Sequence, residues 1–324
     1  MKAVVYEKYG SPDVLELREV ERPTAKDDEV LVRVHAVSIN DWDWALLQGL
    51  PVAFRLLSGI LGPKQKILGS DIAGRIEAVG KNAKRFRIGD EVFGDLSGRS
   101  GGWGGFAEYV CAPETALALK PATMSFVQAA AIPQAAMLAV QGLVDRGGIR
   151  PGQKLLINGA GGGVGTFALQ IAKLYGVEVT GVDSAAKLDL LRSMGFDKVI
   201  DYTREDFTRN GLRYDLILDV KTNRSIFDYM RALSPGGTYV TVGGSMIRLL
   251  QIACVGPLIS MTSKKAMRVV MLKQNKDLAY MCELFEAGKL KPVIDRLRRL
   301  DELPEAMRSF GAGTHKGKVV ITME

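Results

Sequence analysis

The residues best suited to chemistry are Gly159-Ala160-Gly161-Gly162-Gly163-Val164-Gly165, which follow an apolar run at Lys154 to Asn158 and precede an amphipathic stretch. A dinucleotide pyrophosphate is held by backbone N–H groups at a helix N-terminus, where residues without Cβ let the chain turn tightly and meet phosphate. With Ala160 in place of the first glycine, Gly162 and Gly165 complete a GxGxxG variant, and Gly163 and Val164 lie between them at the helix start. A flexible loop is the plain alternative, but strand, glycines, helix and second strand follow in the order the binding motif needs. The second strand ends at Val182-Asp183-Ser184, where the adenosine ribose belongs. An inward Asp183 accepts the ribose hydroxyls of NAD and repels the 2′-phosphate of NADP; an outward one does neither. Lys187, four residues on with Ser184 between, offsets that charge, unless it is simply a solvated helix lysine. Asp219 with Val220, and Gly243 with Gly244, end later strands at the same sheet edge, where ribose and nicotinamide lie in such sites; turn geometry is the alternative for each.

Two kinds of pattern must position these groups. From Met1 to about Val110, short β-rich segments are separated by Gly, Pro and Asp, notably Glu29 to Val37, Asp71 to Val79, Asp90 to Phe93 and Phe106 to Cys111, which predicts a mainly antiparallel β domain. From about Ser125, strands alternate with helices: strand Lys154 to Asn158, helix Val164 to Tyr175, strand Glu178 to Val182, helix Ala185 to Met194, strand Lys198 to Ile200, then strands Leu216 to Asp219 and Thr238 to Val242. That alternation predicts a doubly wound parallel sheet, so the fold class is α/β. After about Pro292 a helix and a strand, Lys318 to Met323, close the pattern.

Composition sets the limits. The 324 residues, 47% hydrophobic and 24% charged, exclude a disordered or collagen-like chain and are enough for two domains with their own cores. Lys plus Arg total 43 against 36 Asp plus Glu, but the resulting +7 is scattered, which argues against nucleic acid as a partner. Cys111, Cys254 and Cys282 stand far apart without CxxC spacing, so neither a disulfide framework nor a thiolate zinc cluster is expected. The N-terminus lacks signal-peptide features, and a cytoplasmic location is expected. Met246 to Met261 is apolar but broken by Arg248, Gln251, Gly256 and Pro257, too short for a membrane span; a substrate-side lid or subunit contact is expected instead.

Several blocks in order resemble the medium-chain dehydrogenase/reductase superfamily, in its zinc-independent quinone oxidoreductase-like branch. They are Gly69-Ser70-Asp71-Ile72-Ala73-Gly74 with Val79-Gly80, Arg87 to Val92, Gly105 to Tyr109, Gly159 to Gly165, Val199 to Tyr202 and Gly317 to Val320. The resemblance implies a GroES-like β domain of residues 1–124 and 285–324, an inserted Rossmann domain of residues 125–284, an active site in the cleft and a homodimer. Asn40-Asp41-Trp42-Asp43-Trp44 resembles the family's Asn-Pro-x-Asp-Trp segment, with Asp41 replacing proline. Asn40 is then the best active-site candidate, its amide donating to a substrate carbonyl or fixing a water; the alternative is a turn cap. Asp43 is expected to organise the loop, and Trp44 to be a pocket wall or a core residue. Where some relatives have a Tyr after this segment Ala45 stands, so water is the expected source of the second proton. Lys187 and Tyr202 are separated as are the Lys and Tyr that hold the 2′-phosphate in NADPH-using relatives, and with Ser184 they favour NADPH over NADH. Lys318 resembles the family's basic residue near the pyrophosphate; otherwise it is a surface lysine.

Departures from zinc-dependent relatives direct the chemistry. Asn40 and Ser70 stand where those proteins have a Cys and a His, Ser97 to Tyr109 contains no Cys, and the only histidines are His35 and His315. No zinc is expected. An alcohol loses a proton as it loses hydride, which a Lewis acid eases, whereas a quinone or conjugated enone is already electron-poor. NAD(P)H-dependent reduction of a quinone or α,β-unsaturated carbonyl compound is therefore the expected activity. Two other readings stay open: a zinc-less alcohol or aldehyde reductase, and a non-catalytic NADPH sensor or RNA-binding protein that kept the fold. Gly49 to Lys66 and Ser245 to Lys273 are expected to shape the pocket.

Overall fold

The structure, a computed structural model, describes residues 1–98, 103–244 and 246–323. Ser245 and residues 99–102, which belong to two of the segments singled out above, lie outside the described residues. In chain order the strands are β1 (Lys2–Val5), β2 (Glu16–Glu19), β3 (Glu29–Ser38), β4 (Asp71–Val79), β5 (Glu91–Asp95), β6 (Tyr109–Pro113) and β7 (Ala118–Leu119). There follow β8 (Lys154–Asn158), β9 (Glu178–Asp183), β10 (Lys198–Asp201), β11 (Tyr214–Asp219), β12 (Leu233–Thr241), β13 (Ala266–Val269), β14 (Ile294–Arg299) and β15 (Lys318–Thr322).

The chain divides into two units, Met1–Gln134 with Gln274–Glu324, and Ala135–Lys273. Residues 125–134 and 274–284, assigned to the Rossmann domain on sequence, fall in the first unit. The reason is local bonding: the N–H of Gln134 donates to Asp71 Oδ2 (3.1 Å) and Asn275 exchanges two hydrogen bonds with the backbone of Asp95.

In the first unit β3 is the organising strand. Along one edge it pairs antiparallel with β4; along the other its first half meets β6 and its last residues, Ala36 to Ser38, meet β15. With both edges filled and mostly buried residues along its length, its sequence EVLVRVHAVS reads as nearly continuous apolar residues rather than alternation. Val32, Val34, Ile72, Val92, Phe106 and Ile321 form the core, each worth about 1.5–3 kcal/mol of burial. The helix Leu303–Gly311 closes this core with Leu303, Ala306, Met307 and Phe310, the i, i+3, i+4, i+7 stripe of an amphipathic helix.

The second unit is a six-stranded sheet in the order β10-β9-β8-β11-β12-β13, parallel throughout. Its order reverses between β8 and β11, and ligands of such sheets bind outside the carboxyl ends at that reversal. The helix expected over Ala185 to Met194 is a 3₁₀ turn, Ala185–Lys187, followed by α-helix Leu188–Met194. Met246–Thr262 is one helix containing Pro257. Among the described residues no helix is long and apolar enough to cross a membrane.

Candidate functional site

The second unit builds its site around the glycine turn. Strand β8 delivers Asn158 to the sheet edge, and Gly159 turns the chain at a φ of +86°, the left-handed region that favours glycine. Both Gly159 and Ala160 donate their N–H to Val182 O, at 3.0 and 3.1 Å, which ties the turn to β9. The helix Gly163–Leu174 starts with Gly162 as N-cap and no side-chain cap, so the first N–H groups of the helix are not occupied by a capping side chain. The glycines differ in why they are glycine. A Cβ on Gly165 would sit 2.4 Å from Gly159 O and 2.5 Å from Ala160 O, so this residue sets how closely helix and strand pack. A Cβ on Gly162 would meet only Gly159 O, at 3.7 Å; the space in front of it is open, as an approaching phosphate requires.

Asp183 faces inward. Its Oδ2 accepts the Gly161 N–H at 2.8 Å and its Oδ1 accepts the Ser184 N–H at 2.9 Å. Lys187 is not a solvated helix residue: it is 3% exposed, its Nζ lies 3.7 Å from Asp183 Oδ1, and its methylenes cover Gly161, where a Cβ would come within 2.8 Å of Cδ. The carboxylate expected to meet ribose thus already braces the turn, and its charge is balanced by a buried ammonium. Tyr202 follows β10 and is half exposed, with its N–H bonded to Asp183 O at 3.2 Å, so Asp183, Ser184, Lys187 and Tyr202 gather at one strand end.

Asp219 is turned into the protein. Its Oδ1 accepts from Asn158 Nδ2 (2.8 Å) and the Lys221 and Thr222 N–H groups, and its Oδ2 accepts from Tyr239 Oη (2.7 Å). Burial and this carboxylate push the Tyr239 and Tyr229 phenols far above their ordinary values, keeping both protonated. Here the turn-geometry reading describes what Asp219 does, and Val220 begins the loop it fixes. Gly243 and Gly244 end the next strand: Gly243 O accepts from Thr222 and Thr241, and Gly244 (φ +111°) lies against Thr222, where a Cβ would be 2.3 Å from that side chain.

The first unit holds a separate buried polar cluster. Asn40 is the N-cap of the helix Asp41–Gln48, and the Asp43 N–H donates to the Asn40 main-chain O at 3.1 Å. Asp43, fully buried, accepts the Asn40 N–H (2.8 Å) and the Gly69 N–H (2.9 Å), joining this helix to the segment before β4. Burial pushes its carboxyl up to about 7 against the pull of those two donors and of Lys318. Asn40 Nδ2 reaches Ser70 Oγ at 3.4 Å, and Asn40 Oδ1 accepts from Lys318 Nζ at 2.5 Å. Lys318 is 4% exposed and so is no surface lysine; its ammonium also donates to Ile39 O (3.2 Å) and lies 3.7 Å from Asp71 Oδ2. Asp71 and Asp95 are partners in the β4–β5 register, and burial raises both carboxyls, Asp71 to about 7. Burial lowers Lys318, with Asp71 opposing. Trp44 packs on Gly311, where a Cβ would fall 2.2 Å from its ring, and joins the first unit's core. Sequence reasoning passed over Asp71 and Asp95 as functional groups; the available signal was two carboxylates set among the apolar residues of neighbouring strands.

The residues do not fit a zinc ion. Among the described residues no group of three or more His, Cys, Asp or Glu is placed to hold a metal. Asn40 and Ser70 offer neutral oxygen and amide donors, and a buried ammonium occupies the charge position beside them. His35 stacks on Phe126 (4.2 Å) and His315 on Phe310 (4.5 Å).

Comparison with known proteins agrees with this architecture. Residues 26–122 match the alcohol dehydrogenase GroES-like domain and residues 194–321 the zinc-binding dehydrogenase domain. A 2-methylene-furan-3-one reductase of Solanum lycopersicum is 32% identical over 99% of this chain and 79% of its own length. An NADPH-dependent alkenal/one oxidoreductase of Arabidopsis thaliana is 33% identical over 91% of this chain and 72% of its own. The solved quinone oxidoreductase of Coxiella burnetii superposes with a TM-score of 0.88 at 28% identity, covering 100% of this chain and 99% of that one. The chain belongs to the medium-chain dehydrogenase/reductase superfamily, in its quinone oxidoreductase-like branch.

Proposed function

We propose that this protein is an NAD(P)H-dependent oxidoreductase that reduces quinones or α,β-unsaturated carbonyl compounds without zinc, with NADPH as the preferred coenzyme. The observation that carries the reading is Asn40: a buried carboxamide beside a buried ammonium, at the position where zinc-dependent relatives supply a thiolate. When bound, the reduced nicotinamide supplies the hydride. The chain's own part is to hold the coenzyme and to stabilise charge on the acceptor. The helix N-terminus at Gly162, Gly163, Val164 and Gly165 receives the pyrophosphate. Asn40 donates to the oxygen that gains negative charge, which suffices for an acceptor already electron-poor. Asp43 holds the loop that carries Asn40 through two backbone hydrogen bonds.

Three things support NADPH: Lys187 neutralises Asp183, Ser184 and Tyr202 stand at the same strand end, and the Arabidopsis relative is named for that coenzyme. Steady-state assays with each coenzyme against 1,4-benzoquinone, an enone and a simple alcohol test the proposal. Turnover confined to the alcohol would transfer the protein to the alcohol reductases; tight NADPH binding with no turnover of any electrophile would make it a sensor. A homodimer accompanies the proposal, and light scattering reads it directly.

A further inference from the structure

Lysine is a donor only: its ammonium carries three N–H groups and no acceptor. The Asn40 side-chain atom 2.5 Å from Lys318 Nζ must therefore be the carbonyl oxygen, which fixes the orientation of a carboxamide that could otherwise sit either way round. With Oδ1 held, Nδ2 is on the opposite side. One of its protons is directed at Ser70 Oγ, at a long 3.4 Å, and the amide also hydrogen-bonds the Asp71 carboxylate, whose other acceptor contacts hold it in place. Lys318 is held in turn by Ile39 O and by Asp71 Oδ2, so its ammonium faces three acceptors of the first unit. Asp71 is itself fixed by the Gln134 N–H and has Asp95 opposite it across the β4–β5 pair. The charged groups acting on Lys318 are Asp71, Asp43, Asp41 and Asp95, all acidic, so the site surrounds a single buried cation with carboxylates.

We propose that Lys318 is a positioning residue for the reduction: anchored by Asp71, it locks the Asn40 carboxamide with its oxygen inward, so that an N–H of Nδ2 is the group presented to the acceptor oxygen. This rests on the reading of Asn40 as the substrate's hydrogen-bond donor and goes beyond it by assigning what aims that donor. It also replaces the expectation that Lys318 holds the coenzyme pyrophosphate, since the ammonium is engaged on Asn40, Ile39 and Asp71. A lysine acting through Asn40 makes no contribution once Asn40 is gone, whereas one acting on the coenzyme does.

The test is a double-mutant cycle on the full chain with Asn40→Ala, Lys318→Met and the double variant. The readouts are kcat with 1,4-benzoquinone, NADPH Kd from nicotinamide fluorescence, and the thermal midpoint. Asn40→Ala is expected to lower kcat about 100-fold, the size seen when one oxyanion donor is removed. Lys318→Met is expected to lower it about 10-fold or more, a barrier change of at least about 1.4 kcal/mol, with NADPH Kd unchanged. The double variant is expected to be no slower than Asn40→Ala. Multiplying losses in the double variant, or a raised NADPH Kd in Lys318→Met, would overturn the proposal. Wild-type kcat in Asn40→Ala would instead remove the underlying reading of Asn40, and the proposal with it. Should Lys318→Met not fold, Lys318→Gln takes its place: its amide can still donate to Asn40 Oδ1, and partial recovery of kcat relative to Lys318→Ala supports the lock, while equal loss in both rejects it.

Discussion

Replacing Asp183 with Asn removes one negative charge from the glycine turn while keeping an oxygen that can accept the Gly161 N–H. In the wild type, Lys187 Nζ and Asp183 Oδ1 are 3.7 Å apart and both residues are buried. At an effective dielectric of about 20, unit charges at that separation attract by about 4 kcal/mol. In the proposed site a 2′-phosphate competes with Asp183 for this ammonium and also brings its own charge toward the carboxylate. Both obstacles are lifted in Asp183→Asn. NADH, with neutral hydroxyls at the same place, gains less from the ammonium than a charged phosphate does and loses a carboxylate acceptor. Recovering only a third to a half of the attraction, about 1.4–2 kcal/mol, shifts the NADPH-to-NADH affinity ratio about 10- to 30-fold toward NADPH. Fluorescence titration of both reduced coenzymes gives the ratio, and a thermal melt shows whether the turn has kept its shape. A ratio unchanged within about 2-fold, in a variant that melts like wild type, would refute the argument that Asp183 and the phosphate compete for Lys187.

The converse variant, Lys187→Met, is expected to weaken NADPH much more than NADH and to cost about 3 kcal/mol of stability, because Asp183 is left buried without its counter-charge; chemical denaturation checks the second part. Gly165→Ala places a Cβ 2.4 Å from Gly159 O and is expected to lower the thermal midpoint and abolish coenzyme binding together, whereas Gly162→Ala, with no atom nearer than 3.7 Å, is expected to melt normally and lose only coenzyme affinity. Asp43 gives a pH signature. Its folded carboxyl is raised from 3.8 to about 7, so its contribution to stability is full below the unfolded value and is lost as pH rises through about 7. The loss amounts to at most about 4 kcal/mol. Asp43→Asn should therefore become progressively less destabilised relative to wild type between pH 4 and 7.5 in urea unfolding, and a constant difference would show that Asp43 is ionised throughout.

The glycine turn was legible because its signal is local: the strand, three glycine positions and the helix lie within about twenty consecutive residues. The sheet around it was legible for the same reason, since β8 is buried on both faces and its run of Leu155, Leu156 and Ile157 needs no partner to be recognised. β14 escaped notice because IDRLRR is mostly exposed and shows no apolar alternation; backbone pairing with β15, not its side chains, makes it a strand. Which way Asp183 points depends on a rotamer and on the Gly161 N–H, and residue identity carries neither. The Asn40 cluster was half visible. Asn40 and Lys318 could each be singled out, but that they touch follows only from β15 pairing beside the end of β3, with a chain separation no spacing rule spans. Trp44 and Gly311 meet across a similar distance in sequence, and the small residue makes sense only once the indole is seen against it.

The strand that fills the remaining edge of β3 also has a consequence for the order in which the protein matures. Everything the second unit needs has been synthesised once Lys273 is made and emerges before the chain is finished, and contiguous domains generally fold as units during synthesis. The first unit, although its residues are made first, has an open edge along Ala36 to Ser38 and leaves Asn40 without its ammonium partner until β15 arrives, more than two hundred residues later. On the proposed roles of the glycine turn and of Asn40, chains released after Lys273 but before Lys318 should accordingly already be retained on an immobilised nucleotide, yet show no turnover until β15 is added.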